Sequence, residues 1–205
     1  RKSTARKTPD ERVGKPTPEP PRILRPADAP ADNATLQEVE QWLRHRRTES
    51  AYGFDPATGE KVWERHTDGM EVRLTPTDRE QLRGMIFTHN HPQGWLFPKD
   101  DPRRKGTSFS PHDVHSAALA DTAERRAVTP ECLFSMTRGA GGWPAPDGVG
   151  PMYAIEQAAY ARESTMQSLS GTLSPVQAIA DEAHAIWSRL ASHMGLTYHR
   201  EEAPE

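Results

Sequence analysis

The chain holds a single cysteine, Cys132, among its 205 residues. That excludes an internal disulfide and any zinc cluster built from several thiolates. Long apolar runs are missing as well: none approaches the roughly 18 residues that a membrane-spanning helix requires, and no signal-peptide pattern opens the sequence. Charge of one sign is not in excess. Lys and Arg number 26 against 29 Asp and Glu, a net charge of -3, which gives no global case for binding nucleic acid or an anionic membrane. Aromatic residues make up 7% and apolar residues 34%, so the core is expected to be modest and part of the chain unpacked. These absences point to an intracellular, cytoplasmic protein with room for one ordinary domain plus appendages.

Proline, by contrast, is concentrated at the start. Seven of the 19 prolines fall within residues 1–34, where Val13, Ile23 and Leu24 are nearly the only apolar side chains. Such a segment cannot bury enough surface to offset chain entropy, and it is expected to be a disordered, Pro-rich arm. A folded unit over 35–150 and a helical C-terminal extension over 151–205 make up the rest.

Local signals place the elements. Thr35 with Glu38 three residues on forms a capping box for a helix to about Arg46. Residues 50–54 and 61–65 read as strands around the turn Asp55-Pro56-Ala57-Thr58-Gly59, and 71–74 as a third short strand. Thr75-Pro76-Thr77-Asp78 opens a short helix, and residues 85–91 read as a buried strand. A Pro- and Gly-rich loop follows over 92–109. Ser110 begins a helix to about Arg126, 133–137 reads as a further strand, and the remainder reads as helices over 153–169 and 175–194. This alternation predicts an α/β domain with a mixed sheet.

The chemistry lies in Thr88-His89-Asn90-His91-Pro92 and Ser110-Pro111-His112-Asp113. Residues i and i+2 of a strand share a face, so His89 and His91 can grip one ion. Asp113, at a helix start, supplies a third ligand. Three protein ligands leave a fourth position open, the arrangement of a catalytic rather than a structural zinc site. Three upstream carboxylates could serve as a general base: Glu49, just before the first strand and forty residues ahead of His89, Glu60, beside a turn, and Glu64, on a strand among charged neighbours.

His89-x-His91-Pro92 with Ser110-x-x-Asp113 resembles the motif of the JAMM (MPN+, JAB-domain) zinc metallopeptidases. The resemblance covers roughly residues 40–138. It implies a cytidine-deaminase-like or MPN-type mixed sheet flanked by helices, and one zinc ion per chain held by His89, His91 and Asp113. It further implies a water activated by an upstream Glu, for which Glu49 has the family's order and approximate spacing and Glu64 is the next choice, and an oxyanion steadied by Ser110. Between His91 and Ser110 lie eighteen residues, more than the family usually carries, and 95–106 reads as an inserted loop over the site. The implied activity is a zinc-dependent peptidase or isopeptidase acting on a protein or peptide, such as a ubiquitin-like or carrier-protein tail. A looser similarity to JAB-like domains of phage head and mobile-element proteins points to processing of virion or toxin components. The alternative is a non-catalytic MPN-like scaffold or assembly protein that docks partners through its C-terminal helices.

Each piece also has a plainer meaning. Ser110, Pro111 and Asp113 make a good helix cap in their own right. His-Asn-His invites comparison with HNH nucleases, but such sites do not require three contiguous residues and no basic, Gly-containing ββα context follows. His112 and His115, three apart on a helix, could hold a second ion and otherwise read as rim residues. His184, His193 and His199 lack ligand spacing, and Cys132 reads as a small buried apolar residue. Trp95, Phe97 and Trp143 border the site in sequence and either clamp a substrate or pack their loops.

Overall fold

The computed structural model describes residues 25–203; most of the Pro-rich arm, residues 1–24, lies outside the described residues. Helix α1 (Leu36–Arg44) starts at the expected box: Glu38 N–H donates to the Thr35 hydroxyl and the Glu38 carboxylate accepts from the Thr35 N–H. Strands β1 (Ser50–Phe54) and β2 (Lys61–His66) form an antiparallel pair. Helix α2 (Pro76–Gln81) is capped by Thr75 in the same way. Then come β3 (Ile86–Asn90), two short 3-10 turns over 92–96 and 102–105, α3 (Pro111–Ala120), β4 (Glu124–Val128) and β5 (Cys132–Thr137). The chain closes with the long helices α4 (Pro146–Leu169) and α5 (Pro175–His193) and a last strand, β6 (Thr197–Glu202).

The six strands form one mixed sheet in the order β2-β1-β3-β4-β5-β6. Only β3 and β4 are parallel; α3 makes the crossover between them, as a parallel pair requires. Side-chain alternation sorts the core into two layers. Tyr52, Phe54 and Val128 face α1, packing on Val39 and Leu43. Ala51 and Phe87 face the other way with Trp63, Leu82 and Ala120. On that second face Val114, Ala127, Phe134 and Met136 join Tyr153 of α4 and Trp187 of α5 in the largest cluster.

Three expectations are corrected. Residues 71–74 make no strand, although Val72 and Leu74 pack against the core around Trp63 and Leu82. The helix from Ser110 stops at Ala120, because Asp121 turns left-handed (φ 51°) and accepts from the Gly84 N–H. Residues 124–128 then become β4 instead of a last helical turn. The segment after 151 is not all helix: β6 extends the sheet beside β5, and α4 and α5 share the sheet's core. Among the described residues no helix is long and apolar enough to cross a membrane.

Candidate metal centre

His89, His91 and Asp113 come together as expected. Each offers a ligand atom within 4.8 Å of the others, and among the described residues this is the one such group of three or more. Strand β3 delivers the two histidines. His91, just past the strand end, keeps the β4 ladder through its N–H to the Val128 carbonyl (2.8 Å), so its ring stays on the face of His89.

The hydrogen bonds fix which nitrogen is free. His89 Nδ1 lies 2.7 Å from the Arg126 carbonyl and His91 Nδ1 lies 2.9 Å from the Thr107 carbonyl. A carbonyl only accepts, so each Nδ1 carries a hydrogen, and the neutral form of such a ring turns a bare Nε2 inward. The two Nε2 atoms stand 2.9 Å apart, and His89 Nε2 is 3.0 Å from Asp113 Oδ1. Burial holds the His89 imidazole down at about 4, with Arg125 adding to the depression; it is therefore neutral near pH 7. Lone pairs and a carboxylate converge on one point, which is the donor set of a cation site with its outer hydrogen bonds already made.

Asp113 is held from two sides. Its Oδ2 accepts the Ser110 N–H (2.8 Å) and hydroxyl (2.7 Å), while its own N–H returns to the Ser110 oxygen (3.2 Å). Its Oδ1 accepts from Arg125 Nη2 at 3.0 Å. Burial alone would raise this carboxyl, but His89, His91 and Arg125 together carry it well below the ordinary range. The helix cap at Ser110 and the place of Asp113 in the His-His-Asp group are therefore one arrangement: the cap is what aims the carboxylate.

Glu49 joins this group. Ala51 pairs with His89 at the end of the antiparallel β1–β3 ladder, and Glu49, two residues before Ala51, borders the same cleft as His91. Glu49 is 7% exposed and lines a cleft of about 800 Å³ with His91, Ser110 and Asp113. Burial pushes its carboxyl up to about 8 and Asp113 adds to the rise, against the Val72 N–H and Arg125. Glu64 does not line the cleft; it pairs with Lys61 (2.8 Å) and Arg25 (3.4 Å).

Other candidates fall elsewhere. Asn90 points to the opposite face, where its amide accepts from the Ser50 N–H (2.8 Å) and donates to the Thr48 carbonyl (3.1 Å). Trp95 is packed between the guanidinium groups of Arg104 (3.8 Å) and Arg47 (4.3 Å) and donates to the Arg44 carbonyl. Phe97 lies under Arg103, and Trp143 donates to the Thr122 carbonyl. All three pack their loops; of the inserted segment, only its flanks Gln93 and Thr107 reach the cleft. His112 lines the cleft but stacks on His115, which bonds the Pro146 carbonyl. His184 bonds the Tyr198 hydroxyl, and Cys132 is buried in the core.

One residue escaped the sequence reading. Arg125 is 4% exposed, lies 3.9 Å over the Phe87 ring and bonds Asp113. Nothing in Glu124-Arg125-Arg126 distinguishes the buried arginine from its neighbour until β4 is recognised as a strand.

No family model, no curated protein and no solved structure matches this chain. Fold and site therefore stand on their own geometry: a mixed α/β domain with a buried His-His-Asp group able to hold a metal ion.

Proposed function

We propose that this protein is a zinc-dependent peptidase or isopeptidase of the JAMM/MPN+ type, built on an MPN-like, cytidine-deaminase-like sheet. The carrying observation is the convergence of His89 Nε2, His91 Nε2 and Asp113 Oδ1, with both tautomers set by backbone carbonyls, beside a buried Glu49. Two imidazole nitrogens and one carboxylate oxygen suit zinc and leave a position open. When bound, the ion supplies an activated water and polarises the scissile carbonyl.

The chain's own groups supply the remaining steps. Glu49, lining the cleft with His91, takes the proton of the attacking water and passes it to the leaving amine. A cation nearby favours its carboxylate form and so opposes the effect of burial. Ser110, at the exposed edge of the same cleft, turns its hydroxyl from Asp113 to the developing oxyanion. Its backbone N–H keeps hold of Asp113 meanwhile. Such a donor is worth roughly 3 kcal/mol in other hydrolases. The substrate is an extended protein or peptide segment, such as a ubiquitin-like or carrier-protein tail.

One observation favours the second reading, an assembly protein that keeps its metal without turnover. Ile155, Met166 and Leu169 leave 68%, 67% and 78% of their surface exposed along α4, a face a partner could cover. The test is zinc per chain by elemental analysis, wild type beside His91→Ala, followed by peptide and isopeptide hydrolysis. One zinc in wild type, lost in the variant, with turnover, supports the peptidase; zinc without turnover supports the scaffold; no zinc after reloading removes both metal readings.

A further inference from the structure

We infer that the cleft takes a substrate segment bearing a basic side chain, lysine or arginine, and that Glu182 is the residue that selects it; the inference rests on the peptidase reading of the same cleft. The α4–α5 hairpin lines one part of the same cleft. Ala154 and Ala183 keep that wall low, and Ile179 stands 61% exposed on it. Beside them Gln157 of α4 donates its side-chain amide to Glu182 Oε1 of α5 at 2.6 Å. That bond ties one oxygen across the two helices and leaves Oε2 without a protein donor among the described residues.

Charge in the cleft is one-sided. No lysine or arginine lines it among the described residues, whereas four carboxylates do: Glu49, Glu71, Asp113 and Glu182. Glu49 and Asp113 belong to the reacting centre. Glu71 is already matched by Arg73, 3.0 Å away. Glu182 makes no ion pair among the described residues, and its bond partner Gln157 is neutral. It is the carboxylate left to meet a substrate.

A lysine or arginine fits this wall at both ends of its side chain. The methylene stem lies along Ile179 and the alanines while the cationic head reaches Glu182, the division that long basic side chains adopt at such surfaces. At Glu182 an acidic side chain would meet repulsion instead. A bulky apolar residue would strip water from the carboxylate without replacing its hydrogen bonds.

The test uses zinc-loaded full-length protein and three fluorescent peptides of one length, alanine-based, with a central Lys, Gln or Glu. Binding is read by anisotropy and cleavage by product release, for wild type, Glu182→Gln and Glu182→Lys, each checked for zinc content. In wild type the Lys peptide should bind about fivefold tighter than the Gln peptide, the scale of a partly exposed ion pair, and the margin should shrink with added salt. Glu182→Gln should level the series and Glu182→Lys should reverse it, with zinc unchanged. A wild-type series without preference, or a preference that survives Glu182→Lys, overturns the inference. If neither these peptides nor an isopeptide-linked substrate is cleaved, the peptidase reading fails while the anisotropy series still decides for or against Glu182.

Discussion

The Nε2 atoms of His89 and His91 lie 2.9 Å apart, turned toward each other beside the Asp113 carboxylate. Both rings spend their N–H on backbone carbonyls of Arg126 and Thr107. With the Asp113 carboxylate alongside, itself paired with Arg125, the group offers three donor atoms to one ion. Zinc at about a thousand times its dissociation constant would add roughly 4 kcal/mol to stability, which raises the melting temperature of a chain this size by about 10 °C. Thermal unfolding of EDTA-treated protein with and without added zinc measures this. His91→Ala should lose the zinc-dependent part; a wild-type midpoint indifferent to zinc would remove the metal from the site.

Asp113 and Arg125 make the second prediction. Asp113→Ala removes the carboxylate proposed to hold the metal and its side-chain bonds to Ser110, and it also strands a buried guanidinium whose Nε and Nη1 have no hydrogen-bond partner among the described residues. Breaking such a pair from one side costs about 3–5 kcal/mol. Arg125→Met in the same chain should return much of the lost stability, because no buried charge remains, and should return no zinc. Urea unfolding and zinc content of the single and double variants separate the two effects. A double variant no more stable than Asp113→Ala would show that Arg125 is not what the mutation strands.

Much of this site was legible because its signals are local. Helix caps at Thr35, Thr75 and Ser110 announce their helices within four residues, and His89 and His91 announce a shared face by parity alone. What stayed hidden depends on distant partners. β4 reads as helix because Glu124, Arg125 and Arg126 look like a solvated turn. Only Asp113 and Glu40 give the two arginines opposite faces to point to. β6, with Thr197, His199 and Glu201 exposed, has the polar composition of an edge strand, and only pairing with β5 defines it. The alternation of Val72 and Leu74 was a true burial signal without a ladder to join.

Asn90 carries a third prediction. It sits between the histidines in sequence yet faces away from them, and its amide fastens the segment that ends in Glu49 by bonds to Ser50 and Thr48. Asn90→Ala leaves a buried N–H and a carbonyl unpaired, at a cost of about 1–3 kcal/mol. Zinc binding should survive, since His89 and His91 keep their own backbone partners. Turnover should fall more than substrate affinity, because the group displaced is Glu49 and not the cleft wall. Equal kcat in Asn90→Ala and wild type would sink the link between this amide and the base.

Glu49 gives the fourth, through pH. Its folded value of about 8 stands above the ordinary 4.5, raised by burial and then by Asp113. A carboxyl so raised contributes its full stability below pH 4.5 and loses it as pH climbs through 8, because the folded state must surrender a proton it holds better than the unfolded chain does. His89 runs the opposite way: its value of about 4, below the usual 6.5, adds stability above pH 6.5 that fades as pH falls to 4. Metal-free wild type should therefore weaken toward both ends, and Glu49→Gln should remove the alkaline limb only. The gain in the variant at pH 8 is on the order of a few kcal/mol, read as the urea midpoint in EDTA at pH 5, 6.5 and 8. In zinc-loaded protein the same substitution should leave metal content intact and cut turnover by about 10²–10⁴-fold. Parallel pH curves for the two proteins would show that Glu49 is not the buried acid described, and preserved turnover would show that another group moves the proton.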